Sequence, residues 1–440
     1  MTVGSRTARW AIAAAVVAAV VVSTSARTRW HAQADGADPE AEAAVLAQTI
    51  EFFERKLEKD PRNYLIANRL VDDHLLRFHL DSDLSHLRRA EMIAREILQI
   101  APDTAVAFAR LSLTLLAQHD FAGALDAAKR AVRADSTDEA ALGTLFDAAL
   151  AAGRYGMAER ALSALDPKSS PRHLRDARWL GAIGELDQAF ATMERLCRRF
   201  ERGTVRRQVV AWCQTLLADL EHGRSGAEAA EHWYRLALRT QPGYIGAIEG
   251  LADLAYAREE WKKAKKLYRS ILSEAHPDLY LRLAEVSAAL GETEAATSYE
   301  LESLRLVTAP GAEALNARTL TLYYSSRRDH ADLALAIAQR DTQRRSSTDA
   351  FEVLSWVHLT RGELKQALAA SDSSRRWGQP SATSDYIRAR ILEDLGRADE
   401  ALPLYARALA DRTQLDHHVL QELWSRQREL GVPARRKRSS

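Results

Sequence analysis

The 440-residue chain repeats itself with a period of about 34 residues, and this period constrains its fold more than any other feature. Phe108 and Leu142 occupy the same place in successive copies, as do Phe121 and Tyr155. The same phase returns in three later segments, residues 247–272, 352–370 and 386–410. Within each copy the apolar residues recur every three or four positions, which predicts pairs of amphipathic α-helices. Because one pair cannot bury its own apolar face, the period predicts neighbouring pairs stacked into a solenoid.

The scarcity of turn-forming residues agrees with a helical chain. Only 20 Gly and 11 Pro occur, which is well below average usage. This composition argues against sandwiches, barrels and Pro-rich disordered chains. We therefore predict an all-α fold, built as one continuous array rather than as the several globular domains that the length alone suggests.

The repeat resembles the tetratricopeptide repeat (TPR), in which a Gly turn, a small Ala, a later aromatic residue and a closing Pro follow one another. These elements recur here as Gly153, Gly184, Gly291, Gly362 and Gly396; as Ala90, Ala124, Ala158, Ala189, Ala230, Ala264, Ala296, Ala367 and Ala401; as Tyr234, Tyr268 and Tyr405; and as Pro61, Pro102 and Pro242. The resemblance covers roughly residues 41–430. It implies a right-handed α-solenoid of about ten stacked helix-turn-helix repeats with a capping helix.

The chain divides into four predicted segments: a targeting segment at 1–34, a linker at 35–40, the solenoid at 41–430 and a basic disordered tail at 431–440. The solenoid opens with half a unit, from Ala41 to Lys59. It closes with a helix from Leu415 to Leu430, which carries polar residues on one side, as a capping helix must.

The segment 1–34 has the marks of a secretory signal. Two arginines precede an apolar run at residues 10–22, and small residues follow it. Signal cleavage fits after Ala26 or after Ala34. The alternative is an uncleaved anchor with residues 10–26 in the membrane. With a cleaved signal or an anchor, the rest of the chain lies outside the cytoplasm, either in the periplasm or secreted. The third alternative is a cytosolic protein.

The net charge of +1 conceals an uneven distribution. The segment 1–34 contains four Arg and no acidic residue, and the run from Arg435 to Arg438 adds four more basic residues. The repeat body between them is therefore acidic. The balance as a whole gives no reason to expect nucleic acid or an anionic membrane surface as the partner.

The two cysteines, Cys197 and Cys213, bracket a predicted turn between helices. An antiparallel hairpin brings such positions close together, and an oxidising compartment then permits a disulfide. The alternative is that both are small, buried, apolar side chains.

Residues 72–86 hold three His and four Asp, which raises the question of a metal site. His74 and His79 are five positions apart and so lie on different faces of a helix, which disfavours convergence on one ion. We instead expect Asp81 and Asp83 to cap the next helix and the cluster to form a solvated surface.

No motif of a catalytic or cofactor site occurs in the sequence. The phosphate-binding GxxxxGK[ST], the zinc-binding HExxH, the GxSxG elbow and CxxC are all missing. The carboxylates follow the regular pattern of solvated helix surfaces. We therefore predict that the protein is not an enzyme and uses neither a cofactor nor a metal.

In the TPR family, extended or helical peptides lie in a concave groove that one face of each first helix lines. The same phase in this chain gives nine candidate groove residues: Leu113, Asp147, Asp219, Glu249, Asp253, Tyr256, Glu285, Trp356 and Tyr386. None is Lys or Asn, with which family members bind a C-terminal carboxylate, so we do not expect that mode. The acidic middle is expected to attract cationic or mixed peptides and to repel phosphate.

Two of these residues are aromatic anchor candidates, Trp356 and Tyr386. For Trp356 the alternative is packing into the core between repeats. The sequence thus favours a non-catalytic scaffold that binds a protein or peptide in its groove, without a small-molecule substrate. One alternative is an accessory subunit of an envelope polysaccharide-synthesis or secretion complex. Another is a helical-repeat nucleic-acid binder, which the acidic groove opposes.

Overall fold

The computed structural model describes residues 39–203, 205, 207–273, 276–307, 312–325, 327–376 and 380–410, together with positions 419, 422, 423, 425 and 426. The targeting segment and the basic tail lie outside these residues, as does most of the predicted capping helix. Within the described part the chain forms 21 α-helices and no strand.

The first eleven helices are α1 Pro39–Lys59, α2 Tyr64–Asp81, α3 Leu84–Ile100, α4 Ala105–Ala117, α5 Phe121–Ala134, α6 Glu139–Ala151, α7 Tyr155–Ala164, α8 Ser170–Ala182, α9 Leu186–Glu201, α10 Arg207–Arg224 and α11 Ala227–Thr240. The other ten are α12 Ile245–Ala257, α13 Trp261–Ser270, α14 Pro277–Ala289, α15 Thr293–Val307, α16 Ala312–Ser325, α17 Ala331–Arg344, α18 Thr348–Thr360, α19 Leu364–Ser374, α20 Ala382–Asp394 and α21 Ala398–Ala410.

Helices α2 to α21 form ten consecutive pairs, and α1 packs on α2 as the preceding half-unit. The predicted stacked-repeat fold is confirmed. Helix α1 begins at Pro39, two residues before the start expected from the sequence. Five residues of the expected capping helix are described, and two of them, Val419 and Leu423, are buried against α20 and α21.

The small Ala of each repeat explains how closely the two helices of a pair approach. Ala124 on α5 is fully buried, and its carbonyl accepts a hydrogen bond of 2.9 Å from Ser112 Oγ on α4. Ser355 and Ala367 make the same contact in the pair formed by α18 and α19. A larger side chain in place of the Ala would hold the helices apart and break this hydrogen bond.

The turn inside a pair requires a left-handed residue. Gly153 takes φ +70° between α6 and α7. His119 stands at the same place between α4 and α5 and adopts φ 60° although it carries a side chain. The conformation therefore belongs to the turn, and Gly is the residue that adopts it without steric cost.

The stacked pairs form a curved ribbon, and the first helix of each pair lies on its inner side. Each packs on its own partner, and most also pack on the first helix of the next pair, as α4 does on α6 and α18 does on α20. Within the described residues, second helices pack on first helices and not on one another to a comparable extent. This asymmetry curves the ribbon and places one face of each first helix on the concave side.

Two edges of the curved ribbon meet, and we call this contact the seam. It joins Ser82 and residues 152–155 on one edge to Ser273, His276 and residues 346–348 on the other. The bonded residues are up to 194 positions apart, so slightly less than six repeats complete one superhelical turn.

A disulfide between Cys197 and Cys213 fastens α9 to α10, with a Cα–Cα distance of 5.7 Å. Of the two alternatives that the sequence left open, the structure thus has the bonded one. Both side chains are buried, beside Met193. Separately, none of the described helices combines the length and apolar character needed to cross a bilayer.

Candidate functional site

The nine candidate groove residues separate into two groups by exposure. Leu113, Asp147 and Tyr386 are buried, with 3% or less of each residue exposed, and offer almost no surface to a ligand. The other six are half-buried, which leaves part of each side chain accessible: Asp219, Glu249, Asp253, Tyr256, Glu285 and Trp356. They lie on α10, α12, α14 and α18, so the accessible candidates concentrate in the middle and later repeats.

A repeated Asp–Tyr pair explains two of the acidic positions. The Tyr234 hydroxyl on α11 donates to Asp219 on α10. One repeat later, Tyr268 on α13 donates to Asp253 on α12 at 2.7 Å. Burial and the adjacent Asp253 carboxylate raise the pKa of Tyr268 well above its usual value, so the hydroxyl keeps the proton that it donates.

Asp147 is held by two arginines of the next repeat. Arg175 Nη2 on α8 lies 2.7 Å from Asp147 Oδ2, and Arg178 Nη1 donates to the other carboxylate oxygen. Arg175 also donates from Nε to the Gly143 carbonyl at 3.0 Å. All three charged side chains are buried, so Asp147 joins two repeats instead of facing a ligand.

Tyr256 and Glu285 form a second junction between repeats. The Tyr256 hydroxyl on α12 donates to Glu285 Oε2 on α14 at 3.0 Å. Arg282, one turn before Glu285, donates to the same oxygen at 3.2 Å and lies over the Tyr256 ring. An aromatic face, a carboxylate and a guanidinium thus meet on the inner side of α12 and α14.

Trp356 combines the two roles that the sequence left open. Its indole Nε1 donates to Ser325 Oγ on α16 at 3.1 Å, and its ring lies 6.5 Å from that of Tyr386. It therefore packs between repeats while its half-buried ring keeps some accessible surface. Tyr386 itself is buried and donates its hydroxyl to Glu422.

Arginines on first helices pair with carboxylates in two ways. Arg318 Nη2 on α16 lies 3.2 Å from Glu352 on the neighbouring first helix α18, and both side chains are buried. Arg282 pairs with Glu285 on its own helix, α14. Sequence reasoning missed the roles of Arg175, Arg282 and Arg318. The sequence did carry a signal for these pairs, because every Arg and its acidic partner lie on first helices. Arg175 and Arg318 lie one repeat away from their partners, and Arg282 lies on the same helix as its partner. Of these arginines, only Arg282 is half-buried, so it adds a positive charge to the inner face beside Glu285.

Residues 72–86 differ in two respects from expectation. Asp81 is the last residue of α2 and pairs with Arg77 at 2.7 Å instead of capping α3. Asp83 caps α3 by accepting a hydrogen bond from the Ser85 amide at 2.8 Å, as predicted. The expectation of a solvated surface is wrong for Asp72, Asp73 and His74, which are 5% exposed or less. Asp72 is buried because Arg110 on the next first helix pairs with it at 2.8 Å.

His74 belongs to a polar cluster that fastens α1 to the first pair. Its Nε2 lies 3.1 Å from Glu54 on α1, and its Nδ1 lies 3.0 Å from Nδ1 of His86 on α3. Arg89 donates to Glu54 from Nε at 2.8 Å, and this hydrogen bond lowers the pKa of Glu54. Burial lowers the pKa of His74. Across the described residues no group of three or more His, Cys, Asp or Glu is arranged to hold a metal ion.

The repeat and its packing together define the fold. Ten helix pairs recur in one phase, with the buried Ala and the left-handed turn at constant places. The fold is a TPR-like array of stacked helix pairs. Of its candidate groove surface, six accessible residues remain, with charges of both signs around them.

Several solved structures are similar to this chain at low sequence identity. Human IFIT1, solved as a dimer with PPP-AAAA, is 13% identical over 74% of this chain and 77% of that one, with a TM-score of 0.45. Yeast Tom70 is 10% identical over 90% and 98%, with a TM-score of 0.38. A tetratricopeptide repeat protein from Parabacteroides merdae is 16% identical over 58% and 97%, with a TM-score of 0.34.

No protein-family model matches the sequence of the TPR-like chain, and no curated protein matches it either.

Proposed function

We propose that the protein is a non-catalytic scaffold that holds a polypeptide segment along the concave face of its solenoid. The observation that carries the proposal is the row of half-buried, chemically mixed side chains on successive first helices. Glu249, Asp253 and Tyr256 follow one another on α12, and Glu285 continues the row on α14. Regularly spaced polar and aromatic groups on a rigid curved surface suit an extended chain, whose own side chains recur at regular intervals.

The partner that fits best carries basic and apolar residues in alternation. The carboxylates favour basic side chains, and the accessible parts of Tyr256 and Trp356 favour apolar or aromatic ones. A strongly basic partner fits less well than the sequence alone suggested, because the half-buried Arg282 shares the inner face with Glu285. A phosphate-rich nucleic acid is opposed by the same carboxylates.

Site-specific photo-crosslinking in the native host tests this proposal. A photoreactive phenylalanine analogue replaces Tyr256 on the inner face, and in a matched control it replaces Leu301, which is 61% exposed on α15. We expect a polypeptide cross-linked at position 256 and none of that size at position 301. Equal labelling at both positions, or RNA recovered at position 256, contradicts the proposal.

The identity of the cross-linked polypeptide also separates the two scaffold roles. Enzyme or channel subunits of an envelope polysaccharide or secretion assembly would make the protein an accessory of that complex. A folded or exported client alone would make it a free-standing scaffold.

We also propose that the scaffold lies outside the cytoplasm. Two observations support this location: the basic and apolar pattern of the segment 1–34, and the disulfide between Cys197 and Cys213. Such bonds persist in oxidising compartments and are rare where thiols are kept reduced. N-terminal sequencing of the protein from its host distinguishes the forms, since a start at Arg27 or Asp35 indicates a cleaved signal. An intact N-terminus in a soluble cytoplasmic fraction contradicts the proposal.

A further inference from the structure

The seam holds two superhelical turns together by hydrogen bonds at two patches, and nearby the Arg345 guanidinium lies 5.6 Å from the centre of the Phe121 ring. In the first patch, Ser273 Oγ donates to the Ser82 carbonyl at 3.3 Å, and His276 Nε2 lies 3.2 Å from Ser82 Oγ. The three residues lie at ribbon edges: Ser82 in the turn between α2 and α3, and Ser273 and His276 just before α14. The concave face between these edges is thereby enclosed.

The second patch involves the backbone of both edges. The Ser346 amide donates to the Ala152 carbonyl at 3.0 Å. The Tyr155 hydroxyl donates to Thr348 Oγ1 at 3.1 Å and lies 3.2 Å from the Thr348 amide. Gly153 makes this approach possible, since a Cβ built there would lie 2.3 Å from the Ser346 carbonyl carbon.

The seam differs in chemistry from the contacts between neighbouring repeats. Neighbouring repeats share buried apolar clusters, whereas each such cluster in the described residues lies wholly on one side of the seam. Single hydrogen bonds and a cation–π contact, such as those that cross the seam, each contribute only about 0.5–1.5 kcal/mol net, because water replaces the partners when they separate. The seam is therefore the contact that opens most easily without unfolding any repeat.

We propose that the seam is a latch, which opens to admit an extended polypeptide to the concave face and closes over it. That the occupant is a polypeptide rests on the proposed function. The opening and closing of the seam is a property of the free protein and does not depend on it. With the latch closed, a chain cannot reach the inner face from the side along the latched turn. With it open, the inner face of α10 to α14 is reached from the side.

Distance measurements on the full chain test the latch without any ligand. Spin labels attach to cysteines introduced as Glu159→Cys on α7 and Gln343→Cys on α17, two positions near the second patch that are accessible to the label. The native cysteines are bonded to each other and do not react with the label. In the wild-type background we expect mainly one short distance from pulsed electron resonance.

Gly153→Ala is the variant that forces the seam apart, and Gly291→Ala is its matched control. Both glycines have positive φ, +70° and +77°, in the turn of their repeat, so both substitutions cost the same local strain. At Gly291 an added Cβ meets nothing within 4 Å. We expect longer distances in Gly153→Ala alone. Unchanged distances in Gly153→Ala, or an equal change in both variants, overturns the latch.

Tyr155→Phe provides a milder change that keeps the buried ring. It removes the hydroxyl that pairs with Thr348, and we expect the population of longer distances to increase by less than in Gly153→Ala. A distance distribution identical to that of wild type would show that these hydrogen bonds do not hold the latch.

Locking the seam tests its role in binding. The double variant Ala152→Cys, Ser346→Cys places a disulfide across a pair of residues whose backbones are already hydrogen-bonded. The probe is the polypeptide captured at position 256, carrying a fluorophore. We expect it to associate at least roughly tenfold more slowly with the oxidised variant than with the single variant Ala152→Cys, because binding then lacks its opening step. Equal association rates contradict side entry through the latch.

Failure to capture any polypeptide at position 256 would reject the proposed function, while the distance measurements would still decide the latch.

Discussion

Asp147 and Arg175 lie 2.7 Å apart across two repeats, and both side chains are almost completely excluded from water. Arg178 binds the second oxygen of the same carboxylate. Asp147→Asn leaves two buried guanidinium groups without this charge, and breaking a buried ion pair costs roughly 3–5 kcal/mol. We expect a loss of about that size in the free energy of unfolding, measured by urea denaturation followed by circular dichroism.

Asp126→Asn is the control for this prediction. Asp126 pairs with Arg130 at 2.9 Å on α5, where both side chains are more than half exposed. An exposed pair of this kind contributes about 0–1 kcal/mol. If the two substitutions cost the same, the assignment of Asp147 to a buried junction fails.

The disulfide is expected to stabilise the middle of the solenoid. Cys197 and Cys213 are 16 positions apart, and closing a loop of this size in the unfolded chain is worth about 3 kcal/mol. The double variant Cys197→Ala, Cys213→Ala is therefore expected to lose about 2–4 kcal/mol in the free energy of unfolding.

Because both sulfurs are buried, mild reductant is expected to leave the folded wild type unchanged over hours. Free thiols should become detectable only after denaturant is added. Rapid thiol release from the native protein would place the bond at an accessible site.

Two helical glycines are expected to respond to alanine with opposite signs. In Gly250→Ala, the new Cβ lies 2.3 Å from the ring of Tyr234, so we expect destabilisation by about 1–3 kcal/mol. In Gly181→Ala, the nearest atom is a Leu220 methyl at 3.9 Å, and we expect a gain of up to about 1 kcal/mol from helix propensity. The melting temperatures of the two variants, measured by thermal unfolding, test this prediction. If both variants shift the melting temperature in the same direction, the packing described for Tyr234 is contradicted.

Acid is expected to weaken the attachment of α1 to the first repeat. Burial lowers the folded-state pKa of His74 below its usual 6.5, so the unfolded chain takes up the proton more readily. The stabilisation present above pH 6.5 is therefore lost as the pH falls below that value. Burial also lowers the pKa of His79 to about 4, which acts in the same direction. The groups that face His74 are Glu54 on α1 and His86 and Arg89 on α3.

The measurement is the protection of α1 amides from hydrogen exchange at neutral and at mildly acidic pH, corrected for the intrinsic exchange rate. We expect protection to fall on acidification in the wild type and to change less in His74→Asn. His232→Asn, at a histidine on α11 far from this cluster in the chain, serves as the control and should behave as the wild type does. A similar response in all three proteins would remove His74 from the explanation.

The sequence was sufficient for the repeat fold because each repeat is a local structure. Ala124 and Gly153 act within their own pair, so their spacing of a few residues already predicts how α4 meets α5 and how α6 turns into α7. The same phase singled out Tyr256 and Glu285, which meet across two repeats.

The partners of the inner side chains were harder to predict. Whether Asp147 faces solvent or accepts hydrogen bonds from Arg175 depends on the rotation between successive pairs, which no single repeat encodes. The seam depends on the sum of about six such rotations, so the contact of Tyr155 with Thr348 is invisible to the period of the sequence.

The hydrogen bond from Ser346 to Ala152 also limits how the protein responds to force. Successive superhelical turns of the solenoid already touch at the seam, so the solenoid resists shortening along its axis there. It deforms more easily when it is extended. A partner that pulls on the ends of the ribbon first meets the small resistance of the seam and only afterwards the much larger stiffness of the packed repeats.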